Sequence, residues 1–168
     1  MRRATLRANR LTVAVGRVAG VQAATVAAGD GGLHVAITAD RRDLSVFLLP
    51  DRASFAIGGA KELSFRVSPA ELCTDPLIAD VVAAIAAAVA RVLWNAALTG
   101  APGSDHGAFV TRDGDRLVAD LRTVPEVRWA LERRVSAAMI EAIRLDAFGV
   151  NEQGLELTIG IEGLDRRR

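Results

Sequence analysis

PLIADVVAAIAAAVARVLWNAALT, residues 76 to 99, holds only two charges, Asp80 and Arg91, amid alanine, valine, isoleucine and leucine. This stretch predicts one long helix that is apolar almost all the way round. A helix without a wide polar face must be enclosed by the rest of its domain. Thr74-Asp75-Pro76 supplies a capping oxygen and a proline for the first turn, where the missing N–H costs nothing. Gly100 sits where helices commonly stop.

The 22 residues from Leu77 to Leu98 are long enough to span a bilayer. A central Asp or Arg, however, costs about 2.5–3.5 kcal/mol on insertion. The longest charge-free run, Val81 to Ala90, is only ten residues. Burial inside the protein is the expected outcome, so an acid placed at Ala84 or at Ala87 should be buried and unpaired.

Working outward, the flanks alternate. Leu11, Val13 and Val15 have the period of two that marks a strand. Val21–Ala28 and Leu33–Thr38 flank the turn Gly29-Asp30-Gly31-Gly32, which predicts a hairpin. Leu44–Leu49 is apolar on both faces, as a central strand would be, and Pro50-Asp51 is expected to break it. Ser54–Ile57 and Leu63–Val67 predict a second hairpin around Gly58-Gly59. Leu63, Phe65 and Val67 lie on one of its faces, and Glu62, Ser64 and Arg66 on the other. Pro69 ends that run.

Beyond the long helix, Ala108–Arg112 and Arg116–Leu121 pair through Asp113-Gly114. Thr123 and Glu126 have the spacing of a capping box. The single amphipathic helix expected after it stacks Val127, Leu131, Val135, Ala138, Met139 and Ala142. Leu145–Val150 then turns through Asn151-Glu152-Gln153-Gly154 into the alternating strand Leu155–Glu162.

Strands joined by hairpins, with no strand-helix-strand alternation, predict an α+β fold with a mostly antiparallel sheet. That sheet is expected to curve around the long apolar helix, with a second, amphipathic helix covering a surface. Residues 1–10 read as a basic N-terminal arm, residues 11–164 as a single α+β domain and residues 165–168 as a basic tail.

Bulk composition narrows the function classes. A chain of 168 residues is one domain by length and buries about two-thirds or more of its unfolded surface. It is 51% hydrophobic and 24% charged with net charge +1, and its mean hydropathy is +0.25. The apolar surplus has to enter a core, an interface or a ligand cavity. Twenty arginines stand against one lysine, Lys61, as compositional drift in a GC-rich genome would produce. Tyrosine is absent and aromatics are 4%, so the interleaved aromatic and basic residues of a nucleic-acid surface are missing.

Catalytic and metal patterns are lacking as well. Two histidines, His34 and His106, and one cysteine, Cys73, leave no zinc spacing. Cys73 precedes a helix cap, where a dipole could lower its pKa, but reads better as a small buried hydrophobe. Asp113-Gly114-Asp115 lacks the later ligands of a calcium loop. Ser104-Asp105-His106 contains triad residue types, yet adjacent side chains diverge, and His106 reads as a solvated loop residue. Gly58-Gly59-Ala60-Lys61 has neither the spacing nor the following helix of a phosphate loop. No cofactor and no catalytic residue is expected.

The amino terminus carries Arg2, Arg3, Arg7, Arg10 and Arg17 with no acid before Asp30. It lacks the continuous apolar run of a secretory signal, which predicts a cytoplasmic protein. Peripheral contact with anionic lipid could run through Arg2, Arg3, Arg7 and Arg10.

The order of strands, long helix, hairpin, helix and final hairpin, with Val150-Asn151-Glu152-Gln153-Gly154-Leu155-Glu156-Leu157 at its end, resembles bacterial lipid-binding proteins of the tubular, TULIP-like type. The resemblance implies lipid or isoprenoid binding. The expected function is non-enzymatic binding of a hydrophobic ligand or lipid, with an apolar lining of Ile85, Val89, Leu93, Trp94, Phe65 and Leu157. The alternative is a structural or accessory subunit of a complex or homo-oligomer, with the apolar helix and basic arm as its contact surfaces.

Overall fold

The computed structural model describes residues 1–162; the basic tail expected at 165–168 lies outside the described residues. The fold is α+β, with two antiparallel sheets and one long apolar helix. The single curving sheet expected from sequence is thus replaced by two.

Residues expected as a basic arm instead form a strand, β1 (Arg2–Arg7). Leu6 decides this: its side chain is buried, and β1 pairs with the last strand in the register Leu6↔Leu155 and Arg2↔Ile159. Helix α1 (Ala8–Gly16) follows directly, where a strand was predicted. Leu11 and Val15 alternate as a strand would, but they are also four apart, the helical spacing. Both are buried while Val13 is exposed. The Thr12 hydroxyl donates to Ala8 O at 3.0 Å and accepts from Val26 N–H at 3.0 Å, docking the helix on the next strand.

Strands β2 (Val21–Gly29) and β3 (Gly32–Ala39) form the expected hairpin. β4 (Arg42–Phe55) runs straight through Pro50, contrary to expectation, with a bulge between Pro50 and Arg52. Pairing with β3 ends at Leu48, so the missing N–H of Pro50 falls where β4 has a neighbour on one side only. β5 (Lys61–Ser68) pairs with the second half of β4.

After a 3-10 turn (Ala70–Thr74), helix α2 (Pro76–Leu93) begins as predicted. The Asp75 carboxylate accepts from Leu77 N–H at 3.0 Å. The helix ends at Leu93 rather than near Gly100, because Trp94 leaves helical geometry and the chain coils through turns to Gly100. Trp94 is fully buried and stacks on Phe55 with ring centroids 5.9 Å apart.

Strands β6 (Phe109–Asp113) and β7 (Arg116–Asp120) form the next hairpin. The single amphipathic helix predicted after it is broken into α3 (Pro125–Leu131) and α4 (Arg134–Ala142). The break at Glu132-Arg133 shifts the helical phase, so Val135 is 75% exposed and Ile140, outside the predicted stripe, is fully buried. No capping box forms: Val124 is the N-cap, and Thr123 serves Asp120 O and Phe109 N–H instead. β8 (Ile143–Asn151) and β9 (Gly154–Ile161) close the fold as the predicted last hairpin.

The larger sheet has the order β2-β3-β4-β5-β7-β6 and the smaller β1-β9-β8. α2 touches β6 and β7 of the first, β1 and β8 of the second, and α1. Although α2 is long and apolar enough to cross a membrane, 56% of it is buried inside the protein. The buried part includes Ile78, Val81, Val82, Ile85, Val89 and Leu93, all in one core cluster.

The only lysine lies on the inward face of β5, in the same alternation as Leu63, Phe65 and Val67. Lys61 Nζ donates to Ala56 O at 2.8 Å and to Glu141 Oε2 at 3.2 Å, and sits 5.9 Å from the Phe55 ring centroid. The same Oε2 accepts from Gly58 N–H at 2.7 Å, pinning the β4–β5 turn to α4. Burial pulls the Glu141 pKa upward, but the hydrogen bonds from Gly58 and Lys61 and the Lys61 charge outweigh it. The carboxyl is held below its ordinary value of 4.5.

Two outcomes follow for mutants. Ala87 is buried whereas Ala84 is half-buried, so Ala87→Asp should lose about 3 kcal/mol or more and Ala84→Asp under about 1 kcal/mol in urea unfolding. Equal losses would mean that α2 has no open side. Glu141→Ala strands a buried ammonium and should cost about 3 kcal/mol. Lys61→Met leaves a carboxylate that water and Gly58 can serve, at under about 1 kcal/mol. A depressed native pKa stabilises the fold above the unfolded value. The advantage of wild type over Glu141→Gln should therefore be full above about pH 4.5 and shrink as pH falls through the native value.

Candidate functional site

α2 is not sheathed on every side. Asp80, Ala84, Ala88, Arg91, Val92 and Asn95 recur at three- and four-residue spacing, and none of them is fully buried. Facing this stripe is one side of α1, where Arg10, Val13, Ala14 and Arg17 share the same spacing. Between the two lies an open groove of about 1210 Å³, to which Arg2 and Leu6 of β1 also contribute. Along α2, Ala84 to Val92 give it a length of about 12 Å at 1.5 Å per residue.

The remaining wall is the segment from Gly103 to Gly107, which two contacts hold in place. Arg91 Nη2 donates to Ser104 O at 3.0 Å and to Glu126 Oε1 at 3.0 Å, tying α2 to the wall and to α3. Gly107 lies so close to α2 that an added Cβ would stand 2.5 Å from the backbone carbonyl atoms of Ala83. Next to it, Ala108 N–H donates to Ala83 O at 3.3 Å.

Chemically the groove has an apolar floor of Ala14, Ala84, Ala87, Ala88 and Val92, together with the exposed Val13. Its rim carries Arg2, Arg10, Arg17 and Arg91 against only Asp105 and Glu126. Glu126 is almost wholly buried; one carboxylate oxygen meets Arg91 and the other has no partner among the described residues. It is thus a structural partner of Arg91 rather than the capping residue expected from sequence.

The six lining residues named from sequence are brought together, but within the packed core. Ile85, Val89, Leu93, Trp94, Phe65 and Leu157 are all buried, and none of them lines the groove. The residues that do line it, Ala84, Ala88 and Val92, are sequence neighbours of Ile85, Val89 and Leu93. A signal for the open side existed. Asp80 and Arg91 are eleven residues apart, close to three full turns, so both charges mark the same stripe.

Ser104, Asp105 and His106 belong to the groove wall, where the Ser104 hydroxyl accepts from His106 N–H at 3.0 Å. The His106 ring makes no hydrogen bond to Ser104 or Asp105 among the described residues, so the three are not arranged as a triad. Cys73 is buried in the turn before α2, and desolvation pushes its thiol pKa up, with Arg112 opposing and Asp115 adding. His34 is exposed and lies 3.0 Å from Asp30, tilted against Phe47.

No family model matches the chain, and no curated protein or solved structure is significantly similar to it.

Because the groove wall rests on a glycine, Gly107→Val should force the segment away from α2. A loss of about 1–3 kcal/mol in chemical denaturation is expected, together with faster proteolysis between residues 100 and 107. Wild-type values for both would show that Gly107 does not hold the wall.

Proposed function

We propose that the chain is a non-catalytic binding protein whose ligand, a hydrophobic or lipid-like molecule, lies in the groove between α1 and α2. The observation that carries this reading is the open stripe of α2. Ala84, Ala88 and Val92 present apolar surface beside Val13, which is 53% exposed. At about 1210 Å³ the groove is somewhat larger than the roughly 300–1,000 Å³ of usual small-molecule sites, as suits an elongated ligand lying in an open channel. The order of elements, similar to tubular lipid-binding proteins, supports the same class of ligand. A cytoplasmic location, with peripheral membrane contact as the route of loading, belongs to this proposal.

A second reading has its own support. The floor is built from alanines, which would allow the close approach of a helix from a partner protein or a second copy. Phe109, 65% exposed on the edge strand β6, would extend such a contact.

Native mass spectrometry before and after solvent extraction separates the two. A defined adduct, lost on extraction and absent from Ala88→Trp, is the expected result. Ala88 is half-buried on the groove side, so this variant should keep a near-wild-type melting temperature. A homo-oligomer without adduct would support the subunit reading, and a bare monomer would remove the ligand reading.

A further inference from the structure

We infer that the groove selects an anionic amphiphile, an aliphatic chain carrying a carboxylate or phosphate headgroup held by arginines from both helices. The inference rests on the groove being a ligand site and adds the chemical class of the ligand.

Four arginines line the groove against two carboxylates, although the whole chain is nearly neutral at +1. One of those carboxylates, Glu126, is already committed to Arg91. Arg91 in turn uses only Nη2, so its Nε and Nη1 have no partner among the described residues. The side chains of Arg2, Arg10 and Arg17, which all line the groove, make no hydrogen bond or ion pair with any described residue. Ion pairs elsewhere join Arg42 with Asp75, Lys61 with Glu141, Arg66 with Asp115, Arg116 with Asp51, and Arg144 with Asp146, while Arg41, Arg52 and Arg134 also have no acid partner among the described residues. What sets Arg2, Arg10 and Arg17 apart is that they converge with Arg91 on one apolar groove.

Placement within α1 adds direction. Arg10 within α1 and Arg17, the residue that caps its end, are two turns apart on the side that carries Val13 and Ala14, so cations bracket an apolar strip. No acid occurs before Asp30, which leaves α1 without a carboxylate of its own. A purely apolar ligand would cover the strip and leave these guanidinium groups unanswered. A cationic ligand would be repelled. An aliphatic chain over Val13, Ala84, Ala88 and Val92 with an anionic head at the rim satisfies both parts, and guanidinium groups grip carboxylate and phosphate through paired donors.

The test compares three probes of one chain length, dodecanoate, dodecyl phosphate and dodecanol, titrated into the purified protein by calorimetry below their aggregation limits. Both anions should bind at least tenfold more tightly than the alcohol, and 0.5 M salt should erase most of that difference. The double variant Arg10→Gln/Arg17→Gln removes two exposed, unpartnered charges and should melt like wild type. It should bind dodecanol unchanged and lose the preference for the anions. Equal wild-type affinity for alcohol and anions would overturn the inference while leaving the ligand site standing, as would a preference retained by the double variant. Binding of only one anion assigns the headgroup and supports the inference. Failure of all three probes would remove the ligand site itself and the inference with it, and capture of an acidic amphipathic peptide instead would assign the groove to a protein partner.

Discussion

Enclosure of α2 is the constraint on which the rest depends. Eighteen residues with almost no polar side chain cannot face water on all sides, and burying each Ile, Val or Leu contributes about 1.5–3 kcal/mol. Two sheets and α1 supply the walls. The smaller sheet packs on α2 through β1 and β8, and the larger through β6 and β7. The one stripe left uncovered is where the helix carries its charges, and that stripe becomes the floor of the groove. Core and candidate site are therefore two faces of one helix.

Polar groups fix what hydrophobic packing leaves loose. Lys61 reaches across the larger sheet to Glu141, and Gly58 completes the same carboxylate, so a turn and a helix remote in sequence are joined at one oxygen. Arg91 does the equivalent for the groove wall through Ser104 and Glu126. The two pins differ in kind. An ammonium is compact enough to be buried on a strand, where a guanidinium fork would need more space and more acceptors. Arg91 lies partly in solvent, so its planar fork can hold two partners with one nitrogen and keep other donors outward.

Ser104, Asp105 and His106 form part of the groove wall, and Cys73 is buried in the turn before α2. What the groove offers is shape and charge. It combines an apolar floor with a rim that carries four arginines.

Much of the architecture could be read from the chain itself. Hairpins at Gly29–Gly32, Asp113-Gly114 and Asn151–Gly154, the Asp75-Pro76 helix start, and the inward alternation of Leu63, Phe65 and Val67 are local signals, and local energies settle them. Short apolar runs were ambiguous. Leu11, Val13 and Val15 fit a strand and a helix equally until Thr12 found Val26, and β1 is a strand only because β9 offers it an edge. Pro50 passed through β4 because β3 had already ended. The spacing of Asp80 and Arg91 marks the side of α2 that stays open, but which arginines line it and where Glu126 goes were decided by tertiary structure alone. Sequence determines what must leave water, but only packing between distant segments determines what covers it and what is left uncovered.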